Sequence, residues 1–277
     1  MTVTAAPRVD ELHFPASRFG VAGRTVRVWL PDGYDAEPQR RYPVLYLMDG
    51  QNLFDPRTAF AGVAWDVGTT AQRAIDKRRI EPVILVGVDN SGAGRTFDYT
   101  PVTWQGRGGG ADRFAHMLID EIKPVVDRRY RTRREREATA LGGASLGGLF
   151  ALHTALVHAD VFGAVAALSP TVWWGHGALL RLVAALRARP DVRIWLDVGK
   201  REAVPLRQHV RSARELLLAK GWVAHRTVRK ATLRHAEVAR GRHDEASWGK
   251  RFERVLRFLF PPEKQVRRRS VRARTAS

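Results

Sequence analysis

Residues 138–148 read Ala-Thr-Ala-Leu-Gly-Gly-Ala-Ser-Leu-Gly-Gly. A run of small apolar residues leads straight into Gly143-Ala-Ser145-Leu-Gly147. A helical spacing of apolar residues follows at once, at Leu149, Phe150, Leu152 and Leu156. Strand, glycine-flanked serine, helix is the order of a nucleophile elbow, a sharp turn that lifts a serine hydroxyl above the end of a sheet. The glycines are steric requirements, because a side chain beside the serine would strike the neighbouring strand or helix. A helix that starts behind Ser145 turns its positive end toward the place where an oxyanion would form. The five-residue pattern alone is weak, and its flanking strand and helix strengthen it. It predicts that Ser145 forms acyl-enzyme intermediates.

The rest of the chain reads as one α/β unit. Val44–Met48, Pro82–Val88, Phe162–Leu168 and Arg193–Val198 are apolar runs of the kind found in strands buried on both faces. Thr25–Leu30 alternates and reads as an antiparallel edge strand, and His235–Ala239 as the last strand. Helical patterns cover Val67–Ile75, Phe114–Tyr130, Leu206–Gly221 and Trp248–Phe260, with Pro124 predicting a kink or break in the second. Alternating strands and helices predict an α/β fold, with a mostly parallel central sheet, helices on both faces and antiparallel N-terminal strands. The glycine-rich stretch Gln105–Ala111 reads as a surface loop or as a mobile loop over the site.

With 277 residues and 44% hydrophobic content the chain can bury a sizeable core. Residues 1–262 are expected to form a single domain, because no internal repeat or second change of pattern interrupts them. The basic segment 263–277, with almost no apolar residues, has the composition of a disordered tail. The lack of cysteine excludes disulfides and thiol catalysis, and no run is apolar and long enough to span a membrane. With no signal-peptide pattern at residues 1–10, a cytoplasmic location is expected. No short metal-ligand spacing is present, so neither a metal nor an organic cofactor is expected. The net charge of +19 reads as an arginine-heavy solvated surface rather than a specific nucleic-acid site, since no nucleic-acid motif or aromatic-basic stripe accompanies it. An anionic small-molecule substrate fits the same charge.

In a parallel sheet the ligand site lies at the carboxyl ends of the strands. His243, in Gly241-Arg-His-Asp-Glu245 after the last strand, is the candidate general base, because imidazole titrates near neutrality. The acid should lie between serine and histidine, after a strand. Asp197 and Glu202 both qualify. Glu202 is preferred, because a residue in the loop can reach over the strand ends whereas one inside the strand points sideways. The oxyanion hole needs two backbone N–H groups, expected from Leu146 and from Gln51 in the turn after Met48, with Asn52 beside it as a substrate contact. Trp173 and Trp174, after the strand ending at Leu168, are candidates for a substrate-binding wall or for a core aromatic pair.

Taken together, several segments resemble the putative esterase family of α/β-hydrolases, which includes esterase D, enterochelin esterase and feruloyl esterase relatives. They are Tyr42-Pro-Val-Leu-Tyr-Leu-Met-Asp-Gly-Gln-Asn-Leu-Phe54, Val86-Gly-Val-Asp-Asn90, Arg95, and Asp98-Tyr-Thr-Pro101. Gly143-Ala-Ser-Leu-Gly-Gly-Leu149, Ser169-Pro170, Trp173-Trp174 and His243-Asp-Glu-Ala246 with Trp248 complete the series. The resemblance covers about residues 25–260. It implies an α/β-hydrolase fold and a serine-dependent carboxylic ester hydrolase without cofactor, acting on a small-molecule ester. Ser145 would be the nucleophile and His243 the base. Gly199-Lys-Arg-Glu202 fits the Gly-x-x-Glu/Asp turn that carries the acid in relatives. The turn Asp49-Gly-Gln51 departs from the His-Gly of many relatives. Acyl transfer to an alcohol on the same fold, or a noncatalytic scaffold holding an anionic partner, are the rival readings.

Overall fold

The computed structural model describes residues 9–262. The basic segment 263–277 lies outside the described residues. Eight strands form one sheet: β1 Val9–Phe14, β2 Arg24–Trp29, β3 Val44–Met48, β4 Ile84–Val88, β5 Thr139–Ala144, β6 Ala164–Leu168, β7 Arg193–Gly199 and β8 Leu233–Val238. Their order across the sheet is β1-β2-β4-β3-β5-β6-β7-β8. The β1–β2 and β2–β4 pairs are antiparallel and every later pair is parallel. This is the α/β-hydrolase topology.

The period-2 rule sorts the core into two halves. Val44, Tyr46 and Met48 face one side with Leu141, Val165 and Ile194, under the helices Leu146–Val157, Trp174–Ala185 and Val204–Ala219. Leu45 and Leu47 face the other side with Leu85, Ala140 and Trp195, under the helices Val67–Asp76 and Glu245–Leu259. All five residues of β3 are buried, as its unbroken apolar run requires. Small residues in the middle of the sheet, Ala140, Gly142, Ala164 and Ala166, all face this second side and let its helical layer sit close.

One expectation is corrected, and two segments gain detail. Thr25–Leu30 is not an edge: β2 lies between β4 and β1, and β1 takes the edge with a half-polar sequence, Val-Asp-Glu-Leu-His-Phe. The stretch Phe114–Tyr130, expected to kink or break at Pro124, changes helix type just before it. A π-helical segment, Met117–Ile122, absorbs the mismatch, so that Pro124 falls in the first turn of a new α-helix, Lys123–Arg129, where its missing N–H costs nothing. Within Gln105–Ala111, Arg107–Gly108 pairs with Thr103–Trp104 in a short hairpin, pinned by Gly109 N–H donating to Thr100 O and Gly110 N–H to Phe97 O.

Candidate active site

β5 ends at Ala144, and the helix Leu146–Val157 begins one residue later. Ser145 makes the turn alone, with φ 56° and ψ −122°. A non-glycine residue holds such a conformation only where its surroundings over-determine it. Here Ser145 N–H donates to Leu168 O, and Ser145 O accepts from Leu149 and Thr171 N–H. The flanking glycines are explained by contact. A Cβ on Gly143 would lie 2.6 Å from the Gly147 carbonyl, and one on Gly147 would lie 3.0 Å from Met48 Cβ.

His243 sits in the loop between β8 and the C-terminal helix. Asp244 caps that helix by accepting from Ser247 N–H at 2.7 Å, which fixes where the loop ends. The His243 ring stands edge-on to Trp248, centroids 5.0 Å apart. Its Nε2 lies 3.0 Å from Ser145 Oγ, and its Nδ1 lies 2.8 Å from Glu202 Oε2. With a carboxylate facing Nδ1, the favoured tautomer carries its proton there and leaves the Nε2 lone pair toward the serine. The loops of Glu202 and His243 can come together because Gly199 and Gly241 touch: a Cβ on Gly199 would lie 2.3 Å from Gly241 O.

The Glu202 side chain is fully buried. Its Oε1 accepts from Gly199 N–H at 2.7 Å and from Ser169 Oγ at 2.6 Å. Burial alone would push its pKa up, but hydrogen bonds from His243, Ser169 and Gly199 outweigh that and hold the carboxyl below the usual glutamate value. A depressed carboxyl pKa contributes stability that is fully present above the unfolded value. That contribution is lost as pH falls through the lower folded value. Glu202→Gln is therefore expected to shed part of the acid sensitivity, so that unfolding curves of parent and variant converge below about pH 4. Parallel denaturant titrations at pH 7 and pH 4 measure this.

Asp197 lies inside β7 and points sideways beneath the C-terminal helix. It meets Trp195 Nε1 at 2.8 Å and Arg251 Nε at 3.5 Å rather than His243. Burial, partly offset by Arg251, raises its pKa. Arg251 is itself buried and stands between the two carboxylates, with Nη2 3.6 Å from Glu202 Oε1. Nothing in the sequence pattern marked Arg251, because the residue reads as one more charge on an amphipathic helix.

Leu146 opens its helix, so its N–H lies in the first turn, beyond the reach of any intrahelical carbonyl. Gln51 lies in the one-turn 3-10 helix Gly50–Asn52, whose first rung is Asn52 N–H to Asp49 O, one residue after the Gln51 amide. That turn is held by Asp49, which takes two bonds of 2.8 Å from Arg95 and one of 2.7 Å from Asn90. Asn52 uses its side chain to fix the walls. Its Oδ1 accepts from Phe60 N–H, and its Nδ2 donates to Glu245.

A cleft of about 460 Å³ brings Gln51, Asn52, Ser145 and His243 together, walled by Trp65 and Trp248. Trp173 and Trp174 do not line it. They join Trp104 in an aromatic cluster, in which Trp174 is buried and donates to Val102 O while Trp173 is partly exposed. Thr171, two residues earlier, is the member of that loop that meets the serine, Oγ1 to Oγ at 3.4 Å. Two other clefts of similar size are rimmed by arginines, among them Arg214, Arg226, Arg254 and Arg257, and hold much of the surface charge away from Ser145. Among the described residues no group of acidic and histidine side chains has a metal-binding arrangement, and no helix is long and apolar enough to cross a membrane.

Residues 22–259 match the family described as "Putative esterase". The chain is 27% identical over 175 residues to the ferri-bacillibactin esterase BesA of Bacillus subtilis, which covers 57% of each chain. It is 28% identical over 240 residues to the iron(III) salmochelin esterase of Escherichia coli, 81% of this chain and 51% of that one. The chain thus spans about half the length of these curated relatives. Among solved structures, an IroE-like serine hydrolase from Shewanella oneidensis superposes with TM-score 0.74 at 22% identity, covering 91% of this chain and 80% of that one. The BES protein from Bacillus cereus gives 0.71 at 23% identity, covering 94% and 97%. At such identities these likenesses establish the fold. The matched family spans nearly all the described residues, and this chain belongs to the putative esterase family, a hydrolase of the α/β-hydrolase superfamily.

Proposed function

We propose that the chain is a serine-dependent carboxylic ester hydrolase with Ser145 as nucleophile. The observation that carries this reading is the pair of hydrogen bonds linking Glu202, His243 and Ser145 in series. His243 Nε2 takes the Ser145 proton as Oγ attacks the ester carbonyl. The imidazolium that forms is stabilised by Glu202. The amides of Leu146 and Gln51 receive the oxyanion. His243 then returns the proton to the departing alkoxide and leaves the acyl group on Ser145. In the second half His243 takes a proton from water, which attacks the acyl carbon, and returns it to Ser145 Oγ. The partly exposed His243 ring leaves water a path to that step.

We place the substrate among small esters of the siderophore or aromatic-acid kind. The support is the named activity of the relatives, together with a cleft that offers tryptophan walls. The direct test is a fluorophosphonate probe with p-nitrophenyl acetate and butyrate as reporters. Labelling of Ser145 with parallel loss of hydrolysis is expected. An unlabelled serine in folded protein would reject the reading and leave a scaffold without catalysis. Release of acyl products onto added alcohols in preference to water would move it to acyl transfer.

A further inference from the structure

Ser169 follows β6 and has no place in the reaction above, yet its hydroxyl is buried among three polar partners. Trp248 Nε1 lies 3.2 Å from its Oγ, Arg251 Nη2 2.7 Å, and Glu202 Oε1 2.6 Å. An indole N–H and a guanidinium can only donate. With both of them aimed at Oγ, its lone pairs are occupied and its single proton has one destination, Glu202 Oε1. The same oxygen already accepts the Gly199 N–H. Oε1 is thereby saturated, and Oε2 is the oxygen left for His243 Nδ1. The backbone agrees with this assignment. Ser169 sits at φ 44°, a left-handed conformation costly for a side-chain-bearing residue, and its N–H is tied to Asp197 O at 2.9 Å.

We propose that Ser169 is a positioning residue for ester hydrolysis: Trp248 and Arg251 force its hydroxyl to donate to Glu202, and this fixes the carboxylate in the rotamer that orients His243. The inference rests on the catalytic reading of Ser145, His243 and Glu202. It acts through the acid and touches no reacting atom. The charged and titratable groups facing Glu202 are His243, Arg251 and, beyond the guanidinium, Asp197.

The test is a kinetic cycle on p-nitrophenyl butyrate with the full chain. Ser169→Ala removes the hydroxyl and keeps the strained φ, whereas Ser169→Gly removes the hydroxyl and relieves the strain. Both are expected to lower kcat by about 10–100-fold with KM within about twofold, since orientation of the base is a transition-state contribution. In a Glu202→Gln background the further loss from Ser169→Ala should shrink to within about threefold, because the residue through which Ser169 acts has been disabled. Losses that multiply in that background, a fall in Ser169→Ala that Ser169→Gly restores, or kcat within threefold of parent in both single variants would each overturn the proposal. If Ser145→Ala were fully active, the catalytic reading itself would fail. Loss in Ser145→Ala and Glu202→Gln with none in the Ser169 variants would strike the positioning role alone.

Discussion

Ser145→Ala and His243→Ala are each expected to lower kcat on p-nitrophenyl butyrate by about 10⁴-fold or more, and the double variant by little beyond either. The size follows from the geometry. Oγ, 3.0 Å from Nε2, is a weak nucleophile until its proton has somewhere to go, and an imidazole with no hydroxyl to activate contributes almost nothing. The two side chains act as one unit, so removing the second takes away something already lost. A residue of activity should survive in both, carried by the Leu146 and Gln51 amides and by substrate binding. Stopped-time assays with thermal melts of each variant check this. Ser145→Ala breaks no buried ion pair and should melt close to the parent, whereas His243→Ala strips a hydrogen bond from the buried Glu202 carboxylate and should melt lower. Losses that multiplied in the double variant would mean that the two residues work separately.

Arg251→Met is expected to destabilise the fold by about 3–5 kcal/mol. The guanidinium is 2% exposed and stands between two fully buried carboxylates, Asp197 and Glu202. Its Nε and Nη1 make no hydrogen bond among the described residues, so toward Asp197 the interaction is mainly Coulombic. Methionine fills part of the volume but leaves two buried negative charges with no cation between them. One must take up a proton or the site must open. The deficit should therefore shrink as pH falls, since protonation removes the repulsion in the folded state. Urea titrations at pH 7.5 and pH 5 measure both statements. Arg251→Met combined with Asp197→Asn should recover much of the loss at pH 7.5, which a simple cavity effect would not allow.

The sheet was legible wherever burial on both faces forced an unbroken apolar run. Val44–Met48 was read at its observed bounds, and the strands entering Ser145 and leaving Leu168 within about two residues. What escaped notice had its signal diluted. β1 is an edge with one fully buried side chain, Leu12, so too few positions carry an apolar requirement. The helix Trp174–Ala185 opens through Gly175, His176 and Gly177 at positive φ, a stretch that reads as loop. At the site, Glu202 and Asp197 were separable by one physical point: a strand side chain faces a helix, and a loop side chain can arch over the strand ends. The supporting set of Ser169, Trp248 and Arg251 was not separable. Each reads as an ordinary turn or amphipathic residue, and only tertiary packing brings residues about eighty positions apart together.

In the proposed mechanism the acid and base that would activate Ser145, Glu202 and His243, both follow it in the chain. The sheet strands through β6 and the serine itself precede residue 170. His243, Trp248 and Arg251 all come from the loop and helix that close the described structure. On a ribosome translating at about 5–20 residues per second, the nascent elbow emerges roughly 5–20 seconds before its base. Over that interval a growing chain would display an unactivated serine on a partly built sheet. The docking of the helix Glu245–Leu259 then seals the second half of the core and brings the His243 loop to Ser145 in the same event.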